Sequence, residues 1–151
     1  MTAMLILGVD PGLNKCGWGL VASEGSRLSH VAHGVIKPSQ AQQLASRLHD
    51  VFEGLSEVIE RYQPHEAAVE ETFVNSNARA ALVLGQARGA ALAAAARRGL
   101  IVAEYAPATI KKAIVGSGAA DKVQISFMVQ RLLPAAGPVT ADAADALGVA
   151  L

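Results

Sequence analysis

Of the thirteen acidic side chains, five fall at three chain ends that one fold can bring together: Asp10, Glu70 with Glu71, and Asp142 with Asp145. Carboxylates crowded together repel one another unless divalent cations neutralise them. Oxygen-only ligands favour Mg2+ or Mn2+ over zinc. Two such ions a few ångströms apart activate a water and stabilise the leaving oxygen of a phosphodiester, the in-line hydrolysis used by many nucleases. Asp142 and Asp145 are three residues apart and so share one face of a helix. Glu70 and Glu71 are neighbours, and at a strand end only one of them can point into a given pocket; the pattern alone does not say which. The plainer alternative is that Asp142 complements a helix dipole while the other carboxylates are solvated surface charges.

The elements around these residues decide whether they can meet. Met4 to Val9 is a continuous apolar run, as expected of a central strand covered on both faces, with Asp10 at its end. Pro11, Gly12, Asn14 and Gly17 mark a turn. Trp18 to Ser23 and Leu28 to Ile36 read as two further strands joined by a hairpin at Glu24-Gly25-Ser26. From Gln42 to Tyr62, Leu44, Leu48, Val51, Phe52, Leu55, Val58 and Ile59 recur at helical spacing, with Arg47, Asp50, Glu53, Glu57 and Glu60 on the other side. Gln63-Pro64 stops that helix, and Ala67-Ala68-Val69 predicts a fourth, buried strand in a crossover arrangement with the first.

Asn75 or Asn77 can cap a second helix over Ala78 to Arg98, which Gly99 ends, and Ile101 to Tyr105 predicts a fifth strand. Beyond it come a short helix from Pro107 through Val115, the stretch Gly116-Ser117-Gly118, helical spacing from Asp121 to Leu133, and a last helix from Ala141, capped by Thr140. The expected class is α/β: a mixed five-stranded sheet flanked by helices, with residues 1–151 as one domain.

Composition agrees. A chain of 151 residues, 52% hydrophobic and 17% charged, is long enough to bury roughly 70% of its unfolded surface. No apolar run approaches a membrane span, and the apolar start is too short for a signal peptide, so a cytoplasmic protein is expected. The single cysteine, Cys16, excludes an internal disulfide and a multi-cysteine zinc site, and reads as a small structural residue. The four histidines, His30, His33, His49 and His65, show no metal-like or triad spacing, and read as surface or packing residues. Trp18 reads as core. Net charge is zero, yet residues 79–131 carry eight basic against two acidic side chains, which allows a cationic face beside an anionic pocket.

Taken together, Gly8-Val9-Asp10-Pro11-Gly12 with Gly17-Trp18-Gly19, Val69-Glu70-Glu71-Thr72-Phe73, Leu84-Gly85-Gln86-Ala87-Arg88-Gly89 and Asp142-Ala143-Ala144-Asp145-Ala146-Leu147 resemble the RuvC-type Holliday-junction resolvases. The resemblance runs from about residue 4 to the C-terminus, and its specificity lies in four motifs occurring in the right order and at the right separations. It implies an RNase H-like fold, a homodimer, two Mg2+ ions per active site with Mn2+ as a substitute, and paired symmetric nicks in a four-way DNA junction during recombination and repair. It also implies a branch-migration motor complex of RuvA- and RuvB-type proteins as partner.

By the same resemblance, Asp10, Glu70, Asp142 and Asp145 match the four acidic ligands. Glu71 falls where relatives often carry glutamine. Lys111 and Lys122 match basic positions that assist DNA binding or catalysis, where a lysine can hold the scissile phosphate, and Lys112 is an adjacent candidate. Phe73 matches the residue that stacks on unpaired bases at the opened junction centre. Asn77 and Arg79 are candidates for backbone contacts, although this chain has Ser76 where relatives often place a basic residue. Gly116-Ser117-Gly118 lacks the Gly-Lys-Ser/Thr ending of a nucleotide-binding loop, so nucleotide binding there is not expected.

Gly85, Gly89 and Ala93 recur every four residues on the second helix, a small stripe that suits close approach either of a second copy or of the chain's own sheet. The chain stops at Leu151, soon after Asp145, whereas relatives commonly continue the last helix and add a polar tail, so a shortened C-terminus is expected.

Three other classes compete. The Gly-Val-Asp-Pro-Gly opening also resembles the first phosphate loop of actin-like ATPases, but the length leaves no room for their second half. Small RuvC-like nucleases of ribosomal RNA maturation share size and fold, but are not expected to combine the Phe73 segment with the Leu84 to Gly89 motif. A noncatalytic DNA-binding module is disfavoured by the presence of all four acids.

Overall fold

The computed structural model describes residues 3–24, 27–70 and 77–105. Five strands and two helices follow in the order β1 (Met4–Asp10), β2 (Cys16–Glu24), β3 (Arg27–Ile36), α1 (Leu44–Tyr62), β4 (Glu66–Glu70), α2 (Ala78–Arg97) and β5 (Ile101–Tyr105). The sheet runs β3-β2-β1-β4-β5. The first three strands are antiparallel neighbours, and β4 and β5 add in parallel beside β1. The uninterrupted apolar run of β1 is thus explained: it is the middle strand, and Leu7, Gly8 and Val9 are all buried.

Two boundaries differ from the sequence expectation in a way that bears on chemistry. Asp10 and Glu70 are the last residues of their strands rather than the first residues after them. Backbone pairing continues through Asp10 opposite Gly17, and through Glu70 opposite Tyr105. Helix α1 also begins at Leu44, not Gln42, because a turn occupies the preceding residues. In that turn the N–H of Gln42 donates to the Ser39 carbonyl and the N–H of Ala41 donates to Ser39 Oγ.

Both helices pack on one face of the sheet. Leu7, Val9, Leu20, Ala67 and Val69 meet Val51, Leu55, Val58 and Ile59 of α1 and Ala91, Ala94 and Ala95 of α2 in a single core cluster. The buried side of α2 is entirely alanine, Ala87, Ala91, Ala94 and Ala95, which lets its backbone approach closely. Arg98 donates to Glu60 at 3.0 Å and Arg97 lies over the Phe52 ring, so cations at the end of α2 also hold α1. Gln63 closes α1 in the left-handed conformation at φ 51°, its N–H returning to the Ile59 carbonyl. Trp18 packs against the core as expected, tilted against Tyr62 and over Gly34.

One irregularity lies in β3. Leu20 pairs with Ala32 and Val21 with His30, so Val31 is an extra residue, a β-bulge. Two residues three apart on a regular strand face opposite ways, but the bulge turns His30 and His33 to the same side, where Nε2 of one lies 2.9 Å from Nδ1 of the other. Burial, and then the neighbouring imidazole, lower the pKa of His30.

Candidate active site

Asp10 and Glu70 are brought together by strand register. β1 and β4 are parallel, with Ile6 opposite Glu66 and Val9 opposite Val69, and each carboxylate is the next residue along. Neighbouring strands lie about 4.8 Å apart, so two half-buried acids stand side by side at the same end of the sheet. Val9 and Val69 belong to the core beneath the helices, and strand alternation therefore sets Asp10 and Glu70 on the opposite face. Two carboxylates at that separation favour a cation between them, and an all-oxygen pair suits a hard divalent ion. Among the described residues no third ligating side chain joins them. Asp142 and Asp145 lie outside the described residues, as do Glu71, Phe73, Lys111, Lys112 and Lys122.

The chain turns tightly after Asp10. A Cβ on Gly12 would collide with the carbonyl oxygen of Lys15, so the turn closes only with glycine there. Cys16, the first residue of β2, is fully buried. Burial pushes its thiol up to about 12, a hydrogen bond with the Gly12 backbone pulls the other way, and the negative charge of Asp10 adds to the rise. At neutral pH the thiol is therefore protonated and inert, the small structural residue that its solitary occurrence suggested.

Arg47 pins the same turn from outside. It sits in the first turns of α1, and its Nη2 donates to the Leu13 carbonyl at 3.3 Å and to Asn14 Oδ1 at 2.7 Å. The turn, α1 and the start of α2 enclose an open groove of about 610 Å³ whose polar lining, among the described residues, is Asn14, Lys15, Arg47, Asn77 and Arg79. Asn77 caps α2, its Oδ1 accepting from the N–H of Ala80 at 3.1 Å, and no acidic residue occupies the first turn of that helix. The two DNA-contact candidates that are described, Asn77 and Arg79, thus share a groove with three residues that the sequence reading did not single out. Arg47 had been assigned to the solvated side of its helix, and its reach across 33 residues to Asn14 leaves no local signature.

A family model described as crossover junction endodeoxyribonuclease RuvC matches residues 6–151. The chain belongs to the RuvC family. The RuvC of Caulobacter vibrioides is 60% identical over 146 residues, covering 97% of this chain and 86% of that one. That of Hyphomonas neptunium is 55% identical over 150 residues, covering 99% and 90%. The structure of T. thermophilus RuvC in complex with a Holliday junction substrate superposes with a TM-score of 0.88 at 34% identity, covering 97% of this chain and 90% of the other. The fold is accordingly RNase H-like, and as a RuvC-family member the chain is an endonuclease that hydrolyses DNA. RuvC nucleases are metal-dependent, which the paired carboxylates of Asp10 and Glu70 fit.

The α2 motif of this chain divides its work between two faces. Arg88 turns inward to pair with Glu104 of β5. Gly85, Gly89 and Ala93 turn outward: they are exposed beside Leu82, which is 64% exposed, and no described atom lies within 4 Å of a Cβ built on either glycine. The small stripe therefore does not pack on the chain's own described sheet. Among the described residues no helix is long and apolar enough to cross a membrane.

Proposed function

We propose that this chain resolves four-way DNA junctions by paired symmetric nicks, as a homodimer, through phosphodiester hydrolysis with two Mg2+ ions per active site. The observation that carries the reading is the register of Asp10 with Glu70, which supplies half of a four-carboxylate ligand set on two rigid neighbouring strands. Asp142 and Asp145 complete the set. Asp10, Glu70, Asp142 and Asp145 would hold two divalent cations, Mg2+ or in its place Mn2+, which would supply charge neutralisation and water activation for phosphodiester hydrolysis.

The chain's own groups do the rest. Lys122 holds the scissile phosphate and meets developing charge, with Lys111 and Lys112 beside it. Phe73 stacks on bases freed at the junction centre, while Asn77 and Arg79 hold the backbone. The exposed stripe of Gly85, Gly89 and Ala93 suits the same stripe of a second copy, and two-fold protein symmetry then answers the two-fold symmetry of the junction. Residues 1–151 act as one nuclease domain in the cytoplasm, downstream of a RuvA- and RuvB-type branch-migration complex.

The test compares Mg2+-dependent cleavage of a synthetic mobile four-way junction with that of a linear duplex of the same sequences, by wild type and Asp10→Asn. Paired nicks confined to the junction and lost in the variant are expected. Tight junction binding without cleavage would point to an inactive binding module, and cleavage of structured RNA alone to the ribosomal-RNA nuclease class.

A further inference from the structure

Between the turn after Asp10 and the first turns of α1 and α2, Lys15, Arg47 and Arg79 line one groove. We propose that this groove seats a DNA backbone phosphate, gripped by Arg47 and flanked by Lys15 and Arg79, as an anchoring point separate from the scissile bond. The inference rests on DNA being the substrate and adds to that reading a place where a strand is held.

The lining identifies the ligand class. It brings three cations and two side-chain amides from three elements, and among the described residues it contains neither a carboxylate nor an aromatic ring. A pocket for a base or a nucleoside would be expected to offer a stacking surface, and one for a sugar an acceptor for its hydroxyls. Cations and amide donors without either suit the phosphodiester backbone, which carries no sequence information.

Arg47 is the centre of the site because it is already in place. One nitrogen of its guanidinium serves two neutral acceptors, the Leu13 carbonyl and Asn14 Oδ1, so its orientation is set while its charge is not neutralised by any described carboxylate. Its Nε is buried with no partner among the described residues, a cost that a rigidly placed guanidinium bears. The fork retains donors on Nη1, and a planar fork matches the oxygens of a phosphate. The N-terminus of α2 adds a fixed partial positive charge, undiminished by any acid in its first turn.

The location gives the site its use. Leu13 and Asn14, which Arg47 holds, belong to the turn that leaves Asp10, so a strand seated here is tied through a few rigid residues to the carboxylate pair. Misplacement of a reacting group by about 1 Å can cost a hundredfold in rate, and a second anchor limits that freedom.

The experiment measures binding of the full chain to a fluorescent four-way junction in EDTA across a range of salt concentrations, for wild type, Lys15→Gln, Arg79→Gln, Arg47→Gln and Arg47→Lys. Each lost phosphate contact lowers the slope of log affinity against log salt by about 0.9. Lys15→Gln and Arg79→Gln, at surface positions, are expected to show that drop with an unchanged thermal midpoint. Arg47→Gln is expected to show it too, and Arg47→Lys to restore much of the slope. Slopes equal to wild type in both surface variants would overturn the proposal, as would a loss confined to the thermal midpoint of Arg47→Gln. A free nucleoside triphosphate that raises the wild-type midpoint, while Lys15→Gln and Arg79→Gln leave the DNA slope intact, would assign the groove to a nucleotide instead. Wild type that neither binds nor cuts the junction would sink the functional reading itself, a result distinct from all of these.

Discussion

Asp10 and Glu70 end neighbouring parallel strands in register, each one residue past the paired Val9 and Val69. The valines lock that register into the core, so the spacing of the two carboxylates is a property of the sheet and not of a mobile loop. A site built on strands holds its geometry more narrowly than one built on loops.

Asp10→Asn and Glu70→Gln should therefore each lower junction cleavage by at least about a hundredfold, the scale of losing one preorganised electrostatic group, and leave junction binding intact. Glu71→Gln should keep substantial activity. Gel assays of binding and nicking on the same junction check this, and equal losses at Glu70 and Glu71 would mean that the end of β4 is misassigned.

The buried thiol of Cys16 predicts a pH dependence of stability. Its pKa is raised from 9.0 to about 12 in the folded chain, so between those values the unfolded chain ionises and the folded chain does not. Protons are then more numerous on the folded form, and stability must fall as pH rises, by up to about 1.4 kcal/mol per unit from this group. Below pH 9 the contribution is fully present. Urea unfolding at pH 8 and pH 10.5 should show a steeper loss for wild type than for Cys16→Ala, and equal losses would contradict the assignment.

Gly12→Ala forces the turn after Asp10 to open, because the new methyl meets the Lys15 carbonyl. Cleavage should drop about tenfold or more, on the scale of a small misplacement at an active site, with the sheet retained by circular dichroism. Unchanged kinetics would mean that the turn does not constrain Asp10.

The outward stripe of α2 predicts that Gly89→Glu separates the two copies. Light scattering at micromolar concentration should report a dimer for wild type and a monomer for the variant, with little change in secondary structure. A wild-type monomer under those conditions would remove the two-fold reading.

Much of this fold could be read in one dimension. The middle position of β1 follows from an apolar run without alternation, and the buried face of α1 from Val51, Leu55, Val58 and Ile59. Asp10 follows from its place at the end of that run, whereas the pattern left Glu70 or Glu71 and a cap at Asn75 or Asn77 open; the family resemblance chose Glu70, and the structure puts the cap at Asn77. What escaped depends on geometry between distant residues. The partnership of Arg47 with Asn14 spans two intervening strands, β2 and β3, and the meeting of His30 with His33 depends on one unpaired residue at Val31. Periodicity counts residues and cannot register a bulge, so the contact between two histidines three apart leaves no signature in the sequence.

That bulge matters beyond the histidines. β3 is a border of the sheet, ten residues long, with one side of its backbone unclaimed by any described strand. A straight border of that length is a template on which another chain can add and aggregate. The extra residue at Val31 breaks the template's spacing midway, so an incoming strand can match one half or the other but not both. A nuclease that must gather at rare junctions can thus be concentrated without its outer strand seeding fibres.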